Sequence, residues 1–307
     1  MFRIAAVILL FLIFLPGISQ DFHPGYSLQV GTNYYIDQEL LQTTRTQSFE
    51  YSGDISLDVK FRLNMNLLKS IGDSTYLFSA RYSKTELNYS SPGNGYAISR
   101  MNSDNSSLNA YLEGLEKINF NIWMTDRGKF TVITKLDSAI SKLQHRTSIE
   151  PVKHENITGT LREAFGKNAL VTLSANITHL YGDTKMLQLA QSDTIFINAT
   201  PTKLSRSLYY QYINTETFRV QGIGIIEETN GTLNIDGAKL VTTMEGKHTF
   251  DLLCDTQSGW IIEGIMKQNL HQVSVVEGHD TLPDGLKIPT IVESEYNFAG
   301  GTIEKSE

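Results

Sequence analysis

Leu57, Val59, Phe61, Leu63, Met65 and Leu67 alternate without a break with Asp58, Lys60, Arg62, Asn64 and Asn66. Side chains of an extended strand point to opposite faces in turn, so this run has one apolar face and one polar face. On a helix the same residues would be scattered around the axis. At ~3.3 Å per residue such a strand reaches about 35 Å. Antiparallel sheets built from strands that long must twist and curl, and a curled sheet with one apolar face encloses a packed core or a cavity.

The pattern recurs. Ser70-Ile71-Gly72-Asp73 has turn chemistry, and Tyr76, Phe78, Ala80 and Tyr82 resume the alternation, completing a long hairpin. Ile118, Phe120, Ile122 and Met124 lead into Asp126-Arg127-Gly128, and Phe130 and Val132 leave it. Phe218 and Val220 run towards Ile226, Asn230-Gly231 reads as a tight turn, and Leu233 and Ile235 follow. Phe250, Leu252 and Cys254 enter Asp255 to Gly259, and Trp260, Ile262 and Gly264 emerge. Gly222, Gly224 and Gly264, inside strands, suggest bends or bulges. Helical spacing is confined to the middle: Leu136, Ile140 and Leu143, then Leu161, Phe165, Ala169, Leu173 and Ile177, with Gly166 as a break.

These elements predict an α+β protein that is mostly antiparallel β: long curled meander sheets, or a half-barrel, with a few helices on the concave face. Residues 20–150 form a β-rich half with a helix near 134–146. Residues 151–299 form a helix and then a second β-rich half, and 300–307 read as a disordered tail. Whether the halves are one domain or two stays open. The candidate apolar face, as core or as ligand lining, comprises Leu57, Val59, Phe61, Leu63, Met65, Tyr76, Phe78, Phe120, Ile122, Phe250, Leu252, Trp260 and Ile262.

The N-terminus carries a compartment signal. Arg3 precedes an unbroken apolar run of twelve residues, Ile4 to Leu15, and Pro16 and Gly17 end it. That is too short to span a ~30 Å hydrocarbon core but suits the apolar region of a signal peptide, residues 1–19, cleaved near Ser19/Gln20. No other stretch is apolar enough to cross a membrane as a helix. The expected location is extracytoplasmic, periplasmic or secreted. Cys254 is the single cysteine, so the chain forms no internal disulfide and has no cysteine near the leader to carry a lipid. It reads as a buried thiol. The formal net charge is −7, and loss of Arg3 with the leader makes it −8. An acidic chain without clustered Lys and Arg argues against a nucleic-acid partner. Asn-x-Ser/Thr occurs at Asn88, Asn105, Asn156, Asn176, Asn198 and Asn230, and reads as the product of a composition rich in Asn, Ser and Thr.

Two stretches carry a family likeness: Gly114-Leu115-Glu116-Lys117-Ile118-Asn119-Phe120 running into Asp126-Arg127-Gly128-Lys129, and Glu245-Gly246-Lys247-His248-Thr249 running into Asp255-Thr256-Gln257-Ser258-Gly259-Trp260. With the closing Ile288-Pro289, the chain resembles an uncharacterised family of secreted proteins, a domain of unknown function common in Gram-negative bacteria of the Bacteroidota type. The resemblance implies no activity, cofactor or catalytic residue. A Pro-containing, Gly-Asp-x-Trp-like entry expected at the start of the second half is absent.

Motifs for chemistry are sparse. No His pair has metal-ligand spacing. His179 with Asp183, and His279 with Asp280, read as solvated residues. The carboxylate pairs Glu227-Glu228 and Glu293 with Glu295 read as a solvated strand edge. No nucleophile elbow or phosphate loop is present, so neither catalytic residue nor cofactor is assigned. The leading expectation is a non-catalytic exported binding protein for a hydrophobic or amphiphilic, lipid-like molecule. The alternatives are a structural or interaction component contacting another envelope protein, and an unrecognised hydrolase.

Overall fold

In a computed structural model the protein is described at residues 24–47, 52–72, 74–91, 96–99, 106–147, 157–182, 188–197, 199–235, 238–277 and 286–303. The leader, Asp73, Asp183, His279 and Asp280, the residues 148–156 around the expected division between halves, and the tail beyond Ile303 lie outside these.

One antiparallel sheet organises the chain. Its strands are β1 (Asn33–Gln47), β2 (Ser52–Ile71), β3 (Thr75–Ser91), β4 (Tyr96–Ser99), β5 (Phe120–Thr125), β6 (Phe130–Thr134), β7 (Gln188–Ile197), β8 (Thr200–Tyr212), β9 (Thr217–Ile235), β10 (Ala238–Asp255), β11 (Ile261–Glu277) and β12 (Leu286–Ile303). The spatial order is β6-β5-β3-β2-β1-β12-β11-β10-β9-β8-β7, with β4 on the far part of β3. The alternating run seen in the sequence is the middle of β2. The last strand returns to the first: β1 pairs with both β2 and β12, so strands from the two ends of the chain share one ladder. The sheet is open and curled, as expected.

β6 and β7 are the two ends of this sheet, and the helices fill the space between them. These are α1 (Ser106–Leu115), α2 (Leu136–Thr147), α3 (Ile157–Phe165) and α4 (Lys167–Leu173), which continues into a π-helical turn, Ser174–Thr178. The break at Gly166 falls where expected. Helix α4 touches both β6 and β7. An edge strand exposes unpaired backbone groups, and here two hydroxyls meet them. Thr172 Oγ1 accepts from the Phe196 backbone N–H (2.9 Å) on β7. Ser174 Oγ accepts from the Phe130 N–H (2.8 Å) on β6 and donates to the Gly128 carbonyl (3.1 Å). The helical segment therefore closes the barrel that the strands leave open.

Both turns of the family motifs clamp that segment. In the β5–β6 turn, Gly128 adopts φ +89°, and a Cβ there would lie 1.7 Å from the Thr178 carbonyl oxygen. In the β10–β11 turn, Gly259 has φ +72° and its carbonyl accepts from the Tyr181 hydroxyl (2.6 Å). Thr178 Oγ1 donates to the Gly128 carbonyl (2.7 Å), and Tyr26 OH donates to the Thr178 carbonyl (2.9 Å).

Three expectations are corrected. Asn230-Gly231 makes no turn: β9 runs through it, with Asn230 opposite Thr243 and Gly231 opposite Thr242. The strand continues to Ile235, which pairs with Ala238 at the start of β10. Gly222 and Gly224 mark no bulge. The ladder shifts at Met244/Gly246 and Leu253/Cys254 instead, and the two glycines leave room for the Phe250 and His248 rings. Gly300 to Ile303, expected in a disordered tail, complete β12 against Ile36 to Asn33.

Gly72 is a control for Gly128: its φ is +58°, and a Cβ there would meet nothing within 4 Å. Gly72→Ala should cost about 1–2 kcal/mol, the strain of a left-handed residue. Gly128→Ala should lose about 3 kcal/mol or more beyond that, because backbone cannot yield to the clash. Urea unfolding of the two variants checks the difference, and equal losses would contradict the clamp.

Candidate functional site

A cavity of about 630 Å3 lies between the concave face and the helical segment. Its floor is β1, β2, β11 and β12 with part of β7, through Leu40, Leu57, Val59, Leu270, Val292 and Ile195 among others. Its roof is α3, α4 and the π-turn. The volume is typical of small-molecule sites, and the lining mixes aliphatic side chains with a comparable number of polar ones.

The polar groups are not scattered. Antiparallel residues directly opposite one another share a face, and the register places Gln191 (β7) opposite Arg206 (β8), then Gly224 (β9), His248 (β10), Gln268 (β11), Ser294 (β12) and Gln42 (β1). One polar row thus crosses seven strands of the concave face. It lies between two mostly apolar rows: Leu208, Gly222, Phe250, Met266, Tyr296 and Leu40 on one side, and Leu204, Ile226, Gly246, Leu270, Val292 and Thr44 on the other. Within the row, Ser294 Oγ donates to Gln42 Oε1 (3.3 Å). Gln42, Gln268 and Ser294 line the cavity, and Asn176 faces them from the π-turn. Asn176 is 2% exposed, and its Oδ1 has no hydrogen-bond partner.

The other end of the row is an electrostatic anchor. The Arg206 side chain is fully buried and donates from Nη2 to the His179 carbonyl (2.8 Å) and Asp193 Oδ2 (2.8 Å), and from Nη1 to the Asn176 carbonyl (3.4 Å). A cation on the last carbonyls of a helical segment is favourably placed. Asp193 Oδ1 is 2.7 Å from His179 Nδ1 and 3.7 Å from Lys129 Nζ. Burial alone would raise the Asp193 carboxyl. The His179 hydrogen bond and the charges of Arg206, His179 and Lys129 outweigh it and hold the carboxyl below its ordinary value. Burial also lowers Arg206 to about 10, against the pull of Asp193.

His248 stands apart from this network. It is 1% exposed and neither ring nitrogen has a partner. Burial, with help from the Arg206 charge, pushes its pKa down to about 3, so the ring is neutral. The Cys254 thiol is raised by burial to about 12 and is inert as a nucleophile.

The sequence-derived candidate face divides between these regions. Leu57 and Val59 line the cavity. Phe61, Leu63, Met65, Tyr76, Phe78, Phe120, Ile122, Phe250, Leu252 and Trp260 belong to one packed core cluster. Ile262 borders a second, more open depression near Trp260 and Gly301. Sequence reasoning missed the polar row altogether, and His179, expected to be solvated, is buried against Asp193. Glu227, Glu293 and Glu295 do face solvent, as partners of Lys203, Arg45 and Lys267. Asn176 is too buried to accept a glycan. Among the described residues, no group of three or more His, Cys, Asp or Glu could hold a metal ion, and no helix is long and apolar enough to cross a membrane.

The model of a family of unknown function (DUF6263) matches residues 73–261. The chain belongs to that family. The match takes in both clamping turns and the row from Gln191 to His248. No curated protein matches the chain. Among solved structures, lipovitellin, described for its lipid–protein interactions, is similar at a TM-score of 0.48 and 7% identity, over 92% of this chain and 26% of that one. This chain thus spans about a quarter of that protein's length. An outer membrane channel from Pseudomonas putida F1 is similar at a TM-score of 0.27 and 8% identity, over 90% of this chain and 97% of that one.

The buried neutral His248 makes the fold acid-sensitive. Its folded value lies below the ~6.5 of an unfolded histidine, so the unfolded chain binds more protons between those values and stability falls as pH drops through them. From pH 7 to pH 5 that loss should be about 2 kcal/mol, at ~1.4 kcal/mol per unit below 6.5. His248→Gln should remove it, leaving a shallower dependence in urea unfolding at the two pH values.

Proposed function

We propose that this protein is an exported, non-catalytic binding protein that carries a hydrophobic or amphiphilic small molecule in the cavity beneath α3 and α4. The cavity itself supports the reading. A curled sheet of this size could pack its concave face solid, as it does around Phe78 and Trp260. Around Leu40, Val59, Leu270 and Val292 it instead leaves about 630 Å3, lined by these aliphatic side chains together with polar ones, an amphiphilic wall. Apolar surface held beside such a space gains free energy by accepting an apolar guest, at roughly 25 cal/mol per Å2 removed from water. The apolar N-terminal run supports the export half: a carrier made with such a leader meets its ligand outside the cytoplasm.

Binding of the neutral hydrophobic probe N-phenyl-1-naphthylamine tests the reading. Its fluorescence should rise and saturate near one equivalent. Leu40→Trp, which places an indole in the cavity, should weaken binding at least about tenfold while the thermal transition persists. Absence of saturable binding by folded protein would refute the carrier. Native mass spectrometry of protein recovered from its own host should show a bound organic molecule on a chain beginning near Gln20, and a chain retaining residues 1–19 would remove the export half.

A further inference from the structure

We infer that the cavity selects an uncharged amphiphile, an alkyl or acyl chain ending in an amide, hydroxyl or ester, whose polar end is held by Gln42, Gln268, Ser294 and Asn176. The inference rests on the cavity being a ligand site and goes further, to the chemistry of the headgroup.

Three observations carry it. The first is the placement of the polar row. Gln42, Ser294 and Gln268 stand side by side in register on β1, β12 and β11, with Leu40, Tyr296 and Met266 on one side and Val292 and Leu270, followed on β1 by Thr44, on the other. A guest whose chain lies along Leu40, Leu57, Val59, Leu270 and Val292 meets this row beside the apolar surface, and a second polar row, Thr46, Thr290 and Gln272, lines the cavity beyond Val292. The second is Asn176, 2% exposed and lining the same space from the roof, whose Oδ1 lacks a partner. A buried amide oxygen without a donor is costly, and a hydroxyl or amide N–H supplies the missing donor. Gln42 and Gln268 each offer both an acceptor and two donors, which suits groups that both give and take hydrogen bonds.

The third is charge. Among the described residues, none of the charged groups lining the cavity lies on the strands that carry this row, and Arg206 and Asp193, at the row's other end, neutralise each other 2.8 Å apart. Asp137, Arg162, Glu163 and Lys167 of the lining balance in sign. Asp137 accepts from the Lys167 backbone N–H (3.1 Å), and Arg162 is engaged by Gln144 (3.1 Å) and Ser141 (3.3 Å). A carboxylate or ammonium brought to Gln268 would lose its hydration without gaining a counter-ion, a far larger cost than burying a neutral amide. The site therefore discriminates by desolvation, as polar pockets without charge do.

The test displaces N-phenyl-1-naphthylamine from the full chain, at pH 8, with four ligands of one chain length: dodecanamide, 1-dodecanol, laurate and dodecylammonium. The two neutral ligands should compete at least about thirtyfold better than the two ions. Gln268→Leu and Ser294→Ala should weaken dodecanamide about fivefold to tenfold more than they change the affinity of the probe, which is measured on each variant. Both substitutions put small or apolar groups beside apolar rows, and a thermal melt confirms that each variant is folded. Laurate or dodecylammonium binding as well as dodecanamide, or dodecanamide affinity indifferent to both substitutions, would overturn the headgroup assignment while the carrier stood. Failure of the probe itself to bind folded wild-type protein would overturn both.

Discussion

The structure depends on how an open sheet disposes of its two edges. Eleven strands in a curled antiparallel path bring β6 and β7 near one helical segment rather than into a ladder with each other. Their outward backbone groups need partners, since an unpaired buried N–H or C=O costs as much as a lost hydrogen bond. Thr172 and Ser174, two residues apart, take one edge each. The segment bearing them acts as a proteinaceous seam. It cannot be an ordinary solvent-facing helix, and all five residues of its π-turn are buried.

That solution creates the next problem. A buried helical end presents carbonyl oxygens with no helical partner. The Asn176 and His179 carbonyls receive Arg206, the Thr178 carbonyl receives Tyr26, and the Leu180 carbonyl receives Tyr210. A buried guanidinium in turn requires a buried carboxylate, which Asp193 provides from the edge strand itself. The seam, the ion pair and the two turn glycines thus form one mechanical unit, and the cavity roof is part of it. Loss of any member exposes the edges as well as the cavity.

Much of this architecture was legible in single strands. Alternation from Leu57 to Leu67 required a long strand, the Asp-Gly turns marked two hairpins, and Gly166 marked the break between α3 and α4. Asn230-Gly231 misled because local turn chemistry competes with ladder register. The polar row could not be read because it is a property of register. On β8 the inward positions read Leu204, Arg206, Leu208; on β11, Met266, Gln268, Leu270; on β12, Val292, Ser294, Tyr296. In each triplet one polar residue stands between two apolar ones, which alone looks like noise. Only the pairings of seven strands align the interruptions, and those depend on contacts more than two hundred residues apart, such as Gln42 with Ser294. A search for polar interruptions at inward positions would have found its members, though not their order.

The row is also an expensive way to build a core. Two flanking rows show that leucine, valine, methionine and phenylalanine fit this surface, so Gln268, Ser294 and Gln42 are not there for want of space. Neutral polar groups facing apolar neighbours contribute little net stability when paired and cost about 1–3 kcal/mol each when left short of partners. His248 and Asn176 both carry such unpaired atoms. At the Arg206 end the polar residues repair a structural deficit, the orphan carbonyls of the seam. At the Gln42 end no such deficit exists, yet the row continues along the cavity floor beneath Asn176. Where local rules of core packing are broken without structural compensation, the compensation is expected from something that binds. The cavity end of the row is where that argument has its full force, since there alone the polar side chains meet open space instead of protein.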